Sequence, residues 1–192
     1  FAVAVLAGFL LIWVSLAEGG RIDIAGYLGA ADSCLASYAL AGTTLFMEKR
    51  IDLAINWKLV MDGAIDVLHP QFLHPSGVGK RIETSASVWE DFGRHGRSWS
   101  AFKKLSDKIK AGTDTPEDRR YISGNLHVFP NASVMPNPSH IEYWNVWPHL
   151  TDPARCNIHI RFLVQALELD EERAAKINKS WDILNQAATE ED

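Results

Sequence analysis

Two histidines and two aspartates lie close together in the stretch NWKLVMDGAIDVLHPQFLHP. Asp62, Asp66 and His69 follow i, i+4, i+7 spacing, so on a helix they share one face. Pro70 disfavours a helical conformation at His69, so we expect the helix to end or bend there and the chain to bring His74 back beside His69. With a distant carboxylate as the third ligand, this pair would form the 2-His-1-carboxylate triad of non-heme Fe(II) enzymes.

Zinc is the competing metal, because it outranks iron in intrinsic affinity for such ligands. The stretch lacks the H-E-x-x-H pattern of metalloproteases, in which a glutamate serves as general base. The alternative without a metal also stays open at this point: Asp62 and Asp66 would be a solvated helix face, and histidines five residues apart are a weak signal alone.

The composition is that of a globular domain with a sizeable core. Of 192 residues, 47% are hydrophobic and 22% are charged, which is ordinary for such a domain. The formal net charge of -5 argues against a nucleic-acid or anionic-membrane partner. Two cysteines, Cys34 and Cys156, are too few for a disulfide scaffold and fit a reducing cytoplasm.

The elements around the candidate site are mixed. Apolar residues 1–17 are too short for a membrane helix, and residues 8–20 are predicted to form a strand followed by a turn at Gly19-Gly20. A membrane anchor formed by residues 1–17 remains the rival interpretation. We predict strands within 33–58 that are broken near Gly42, a strand at 81–89, and a turn at 92–100 with His95 on the surface. A basic helix is predicted at 101–111, followed by a hairpin of 141–148 with 157–163 and a helix from Asp170.

The central stretch resembles the catalytic-domain signature of Rieske-type non-heme iron oxygenases, the large subunits of aromatic-ring-hydroxylating enzymes. The resemblance rests on Asn56-Trp57-Lys58, then Asp62, then Asp66-x-x-His69-x4-His74. The segment MDGAIDVLHPQFLHPSGVG is especially similar to the corresponding segment of the vanillate-demethylase and phthalate-type branch. Gly63, where those relatives often place asparagine, and Pro70 depart from the pattern, and neither is a proposed ligand.

The resemblance implies a role for each of these residues. His69 and His74 would be iron ligands, and Asp66 would fix the orientation of His69 and link it to the Rieske-cluster histidine of a neighbouring subunit. Asp62 would support the helix. The third ligand would be Asp192, the aspartate of a Glu-Asp pair after the last helix, with Asp182 and Asp170 as the fallback candidates.

The same resemblance implies an α+β fold of the helix-grip (START-like) type, a curved antiparallel sheet packed on helices. The segment HVFPNASVM is similar to a strand region that walls the substrate pocket in relatives, which makes Asn131 and Val134 pocket candidates. His127 in that strand is expected to be structural, and Trp144 and Trp147 are expected in the core or the pocket wall.

A Rieske [2Fe–2S] centre needs two cysteines and two histidines, which the family supplies from a C-x-H and a C-x-x-H motif, and no C-x-H occurs in this sequence. We therefore expect residues 1–20 to be the end of a Rieske domain and residues 21–192 to be a mononuclear iron catalytic domain truncated at its C-terminus. The expected partners are O2, an aromatic or apolar substrate, and electrons from NAD(P)H through a reductase or ferredoxin. A homotrimer, or an α3β3 assembly with a small subunit, is implied.

A different class of function also fits a helix-grip fold. Such folds bind apolar molecules without chemistry, so a ligand-binding module without a stoichiometric metal is the alternative to an oxygenase. The sequence selects neither a substrate nor monooxygenation over dioxygenation.

Overall fold

A seven-stranded antiparallel sheet is the centre of the molecule, as seen in a computed structural model that describes residues 2–6, 11–15, 19–75, 77–165 and 169–188. The strands are β1 Ala2–Leu6, β2 Leu11–Ser15, β3 Thr43–Leu53, β4 Ile82–Phe92, β5 His95–Phe102, β6 Ile122–Val128, β7 Ala132–Pro136, β8 Ile141–Pro148 and β9 Cys156–Gln165. β1 and β2 form a separate antiparallel hairpin, with Ala2 opposite Ser15. The main sheet contains the other seven strands in the order β3-β9-β8-β7-β6-β5-β4.

The helices of the described residues fall before, between and after the strands. Short 3₁₀ turns cover Leu40–Gly42, Val78–Lys80 and Pro116–Tyr121. The α-helices are α1 Ile24–Leu28, α2 Ala30–Ser37, α3 Trp57–Ile65, α4 Pro70–Leu73, α5 Lys103–Ala111 and α6 Glu171–Gln186. The α+β class with an antiparallel sheet packed on helices is therefore confirmed.

Each face of the sheet has its own hydrophobic core, because side chains alternate along a strand. On one face, Ile160 and Phe162 of β9 pack with Met61 of α3 and Ile177 of α6. The other core, built on β6 and β7, includes Leu126 and Val134 together with Leu28 and Leu35 from α1 and α2. The face that carries α3 and α6 is the one that bears on the candidate site.

The C-terminal helix forms as its sequence predicts. The Asp170 carboxylate accepts a hydrogen bond of 2.7 Å from the backbone N–H of Arg173, which caps the first turn. Ile177 is fully buried, and Trp181 and Leu184 pack against the same core, so the predicted apolar stripe faces the sheet. The hairpin of β8 and β9 is also confirmed, with Ile141 opposite Leu163.

Two elements differ from the sequence prediction. The expected strands before Gly42 are the helix α2, in which Ala31, Cys34 and Leu35 are buried with the spacing of a helix face. Segment 92–100 is not one long turn, because the turn is confined to Gly93-Arg94 and β5 follows at once. Cys34 is a small core residue, as expected, whereas Trp147 is 49% exposed and Trp144 is only partly buried.

The basic face of α5 is partly neutralised. The Lys108 Nζ contacts both carboxylate oxygens of buried Asp118 at 2.7 Å, and the Lys104 Nζ donates to the Tyr121 hydroxyl at 2.9 Å. No helix among the described residues is long and apolar enough to cross a membrane.

Candidate metal centre

The helix that leads into the site starts at a strong cap. The Asn56 side chain accepts a 2.9 Å hydrogen bond from the Lys58 backbone N–H, and its amide donates to the Pro153 carbonyl at 2.6 Å. The first contact satisfies one of the unpaired N–H groups of the first turn, and the second fastens α3 to the turn between β8 and β9. Asn56 therefore fixes where α3 begins.

The helix ends one turn earlier than the sequence predicts. Asp66 is its C-cap, with φ −68° and ψ 106°, so Asp62, Asp66 and His69 do not lie on one continuous helical face. The Asp66 carboxylate accepts a 2.8 Å hydrogen bond from the Leu68 backbone N–H. This Asx turn competes with helix continuation and explains the early end.

Pro70 starts a new helix rather than only ending the old one. His69 has αR dihedrals, φ −56° and ψ −35°, and Pro70 occupies the first position of α4. Proline fits this position because its missing N–H would have no partner in the first turn. The expected non-helical conformation at His69 is therefore wrong, whereas the expected bend before His74 is present.

The two predicted histidines do come together. Their ring centroids lie 5.3 Å apart with an interplanar angle of 82°. His74 is buried, at 4% exposure, whereas His69 is half-buried at the rim. The pair therefore links the interior to the surface across a single short helix.

A backbone carbonyl sets the tautomer of His69. The Nδ1 atom lies 2.6 Å from the Asp66 carbonyl oxygen. A carbonyl oxygen only accepts, so Nδ1 must carry the proton and Nε2 keeps its lone pair. Metal-ligating histidines are held this way, with the second ring nitrogen donating to a carbonyl or carboxylate. The donor chemistry of His69 thus fits a metal ion.

Backbone packing beneath α4 holds the second histidine. The Gly79 N–H donates to the His74 carbonyl at 3.0 Å. A Cβ added at Gly79 would lie only 2.0 Å from the Pro70 carbonyl oxygen and 2.7 Å from that of His74. On the sheet side, the Thr84 hydroxyl of β4 donates to the Gln71 amide oxygen at 2.7 Å. The turn after His74 therefore requires a glycine.

The structure does not identify a third ligand. Asp192, the predicted carboxylate, lies outside the described residues. Asp170 caps α6 and Asp182 is exposed, and within the described ranges no three His, Cys, Asp or Glu side chains form a metal-binding group. The end of α6 nevertheless runs near the site, because a Cβ added at Gly77 would lie 3.7 Å from Ile183 Cγ2.

The other predicted site residues have varied surroundings. Asp62 is exposed, and its backbone carbonyl accepts from the Asp66 N–H. The Asn131 amide donates to the Val146 carbonyl at 3.0 Å and so ties the turn before β7 to β8. Val134 is fully buried in the core with α1 and α2, on the face away from α3.

Sequence reasoning missed polar residues beneath α3. The Asn125 amide of β6 donates to the Ala64 carbonyl at 2.7 Å, and the Ser133 hydroxyl of β7 donates to the Asn125 side-chain oxygen. Asn125 is half-buried, whereas Ser133 and His127, on the same strand as Asn125, are buried. The signal available was the alternation Asn125, His127 in β6, which places both on one face.

His95 is the clearest correction among the histidines, because it is 2% exposed instead of lying on the surface. Its Nδ1 accepts from the Phe129 N–H at 3.1 Å, and its Nε2 lies 2.9 Å from the Tyr27 carbonyl. Burial lowers the pKa of His95, opposed by the Tyr27 hydrogen bond. This neutral ring clamps α1 to the turn after β6.

Comparison with known proteins gives a consistent assignment. The sequence profile of the "ring hydroxylating alpha subunit (catalytic domain)" family matches residues 41–192. No curated relative matches the chain by sequence. The predicted division between residues 20 and 21 stays a prediction.

Solved structures share the fold at low identity. The quaternary ammonium Rieske monooxygenase CntA in complex with an inhibitor is 13% identical with a TM-score of 0.75, over 97% of this chain and 48% of that chain. Naphthalene 1,2-dioxygenase from Rhodococcus sp. bound to indole is 18% identical with a TM-score of 0.66, over 96% of this chain and 49% of that chain.

The chain thus spans about half the length of these structures. At such identities the structural likeness establishes the fold alone, and the profile match over most of the chain establishes the family. The chain belongs to the family of ring-hydroxylating alpha subunit catalytic domains.

Proposed function

We propose that this chain is the catalytic domain of a Rieske-type oxygenase that binds mononuclear Fe(II) through His69 and His74. The observation that carries the proposal is the hydrogen bond from His69 Nδ1 to the Asp66 carbonyl, which leaves the Nε2 lone pair for a metal ion beside a second imidazole. Asp192 is the proposed third ligand. When bound, Fe(II) would supply reductive activation of O2 for hydroxylation, cis-dihydroxylation or O-demethylation.

The chain's own contribution is to hold the two imidazoles. The Asp66 carbonyl fixes the His69 ring, and the packing of Gly79 under Pro70 and His74 fixes the turn that carries the second ring. Buried His74 would keep bulk water from its side of the centre, whereas half-buried His69 faces the rim.

The surface around Asp66 supports a docking role. The Asp66 side chain is exposed, and three large apolar side chains that follow it along the chain are exposed too: Leu68 at 54%, Leu73 at 49% and Phe72 at 72%. Exposed apolar side chains beside polar residues are typical of interaction sites. We propose that this rim receives the Rieske domain of a neighbouring subunit, with the [2Fe–2S] cluster linked to His69 through Asp66.

The remaining features of the proposal come from the family resemblance. We propose an aromatic or apolar substrate, electrons from NAD(P)H through a reductase or ferredoxin, a homotrimer or α3β3 assembly, and a cytoplasmic location. The sequence of the motif from Asp62 to Gly79 favours the vanillate-demethylase and phthalate-type branch.

Iron binding is the test of this function. We expect full-length protein reconstituted anaerobically to hold about one Fe(II) per chain, and both His69→Ala and His74→Ala to lose it. His159→Ala, in β9, is the matched control, because His159 alternates with the residues that face α3 and α6. Metal analysis after desalting gives the readout.

A ligand-binding module is the alternative to the oxygenase. Full-length protein without stoichiometric iron, but with apolar ligand affinity unchanged in both histidine variants, would support that module instead. Iron that survives in the two histidine variants would place the metal elsewhere.

A further inference from the structure

A largely buried polar strip, in which Asn125 is half-buried and His127 and Ser133 are buried, lies on the sheet beneath α3. Asn125 and His127 are two residues apart on β6, so they point to the same face, and Ser133 of β7 lies directly opposite His127 in the strand register. Asn125 is fastened to the Ala64 carbonyl near the end of α3. The strip therefore lies under the helix end from which Asp66 holds His69.

Two members of this strip already have their partners. The Asn125 amide donates to the Ala64 carbonyl, and its side-chain oxygen accepts from the Ser133 hydroxyl. Both side chains therefore have hydrogen-bond partners within the protein. His127 differs, because it is only 7% exposed and its Nδ1 makes no hydrogen bond. Within the described part of the chain, the other such buried atom is Tyr38 Oη, which has the Arg97 guanidinium as a charged neighbour.

A buried polar atom without a partner calls for an explanation, because native proteins rarely leave one. The neighbours of His127 along β6, Leu126 and Val128, belong to the core on the opposite face, so the ring does not serve that core. Packing would be served as well by a leucine of similar size. The imidazole at this position points instead to a ligand that forms the missing hydrogen bond to Nδ1.

We infer that His127 Nδ1 is a hydrogen-bonding subsite that receives a neutral oxygen substituent, best a hydroxyl group, of the substrate. This inference rests on the proposed function and deepens it, since it adds a polar requirement to an otherwise apolar substrate. A hydroxyl group is the best match because it both donates and accepts, and so pairs with either tautomer of the ring.

The electrostatics of the strip select against a charged substituent. Burial lowers the pKa of His127 and nearby His95 lowers it further, while the Asp62 carboxylate opposes them, so the ring is neutral at pH 7. A neutral ring offers no counter-charge to an anion, and Asp62 repels one. A carboxylate at this position would therefore bind less well than an alcohol.

The test uses full-length holoenzyme and two matched series of probes: toluene, benzyl alcohol and benzoate, and naphthalene, 2-naphthol and 2-naphthoate. Affinities come from quenching of tryptophan fluorescence. We expect the alcohol or phenol to bind about tenfold more tightly than its hydrocarbon, as one satisfied buried hydrogen bond provides. His127→Leu should bring the two within about twofold.

The conservative variant separates binding from structure. His127→Asn keeps a polar atom near the position of Nδ1 and should retain a preference for the hydroxylated probe. His127→Leu should melt at or above the wild-type temperature, because an unsatisfied buried atom is replaced by an apolar one. Lower melting temperatures in both variants with an unchanged preference would assign His127 to a structural water network and overturn the inference.

Three other outcomes overturn it: no preference in the wild type, tightest binding of the carboxylates, or no measurable binding in either series. Iron content is measured on the same samples. Iron retained without a hydroxyl preference refutes this subsite alone, whereas wild-type protein without iron refutes the proposed function.

Discussion

The residue that best explains the candidate centre is Asp66, through its backbone rather than its side chain. Its carbonyl holds His69 Nδ1 at 2.6 Å, while its carboxylate closes an Asx turn on the Leu68 N–H and remains exposed. Orientation of the ring and presentation of a negative charge are therefore separate tasks of one residue. The carboxylate is not needed to set the tautomer of His69.

That separation gives a prediction for Asp66→Ala and Asp66→Asn. Both variants keep the carbonyl, so we expect both to retain iron by metal analysis. Both lose the negative charge that is proposed to link His69 to the [2Fe–2S] cluster, so turnover by the full-length enzyme should fall roughly 10–100-fold, the range typical of changes just outside a metal's ligands. Asp66→Asn still offers an oxygen to the Leu68 N–H and is the control for the turn. Full turnover in Asp66→Asn would remove the charge from the mechanism.

The sequence predicted the meeting of His69 and His74 but not how His69 is held. Residue types and spacings carry side-chain information, and the bond to the Asp66 carbonyl is made by the backbone. The predicted surface position of His95 is wrong for a related reason. Its ring nitrogens bond to the backbone carbonyl of Tyr27 and the backbone N–H of Phe129, which are both far away in sequence. Asp192 stays a prediction.

His95 also predicts how stability responds to acid. Its pKa is lowered chiefly by burial, so the unfolded chain, with a pKa near 6.5, binds the proton more readily than the folded one. The stabilisation that neutral His95 contributes is therefore fully present above about pH 6.5. It is lost as the pH falls towards the folded-state pKa, and the free energy of unfolding decreases by at most about 1.4 kcal/mol per pH unit.

Denaturant unfolding at pH 7 and pH 5 checks this expectation. His95→Gln removes the titrating group, so its free energy of unfolding should be lower at pH 7 but should fall less on acidification than that of the wild type. Equal losses in the two proteins would show that protonation of His95 does not drive the change.

At the scale of elements, the short helix α4 is held from two sides. Thr84 of β4 binds Gln71, and the backbone of Gly79 packs directly under Pro70 and His74. Four residues of helix have little stability of their own. The position of His74 therefore depends on these external contacts.

We predict opposite effects for two glycine-to-alanine changes. In Gly79→Ala the new Cβ would collide with the Pro70 carbonyl, so we expect a loss of roughly 1–3 kcal/mol and weaker iron binding. Gly63→Ala, inside α3, meets nothing within 4 Å and should add about 0.5–1 kcal/mol through helix propensity. Unfolding free energies and metal analysis give the readout. Gly79→Ala with wild-type stability would contradict the packing argument.

Elements with a clear period were predictable, and those defined by distant contacts were not. The hairpin of β8 and β9 and the stripe of α6 follow directly from alternation and from i, i+4, i+7 spacing. The sequence does not reveal α2, because its buried set of Ala31, Cys34 and Leu35 is small and does not distinguish a helix from a strand. The end of α3 depends on an Asx turn, which periodicity does not reveal.

At the scale of the whole molecule, the sheet separates two cores with different tasks. The core with α1 and α2 contains Val134 and serves packing, whereas the face with α3 and α6 carries the buried polar strip. The fold class was predictable from the family resemblance. Which face each residue of β6 and β7 takes was not, because that depends on the register between strands.

The exposed rim around Asp66 gives a prediction about assembly. Phe72 is 72% exposed, and a negative charge there should weaken docking of a neighbouring subunit. We expect Phe72→Glu in the full-length chain to shift the assembly towards monomer in light scattering while iron content is kept. Leu150→Glu, at a position that is 99% exposed, is the matched control. An unchanged assembly in Phe72→Glu would move the interface elsewhere.

The carbonyl clamp on His69 also has an evolutionary consequence. Position 66 could vary in its side chain while every residue type, proline included, kept a backbone carbonyl as acceptor. Under the proposed function, drift there would therefore change electron delivery before metal retention. A saturation library at this codon should therefore yield many iron-loaded clones with graded activity. Under the proposed function, selection would act on the transfer of electrons between subunits without altering the residues that hold the metal.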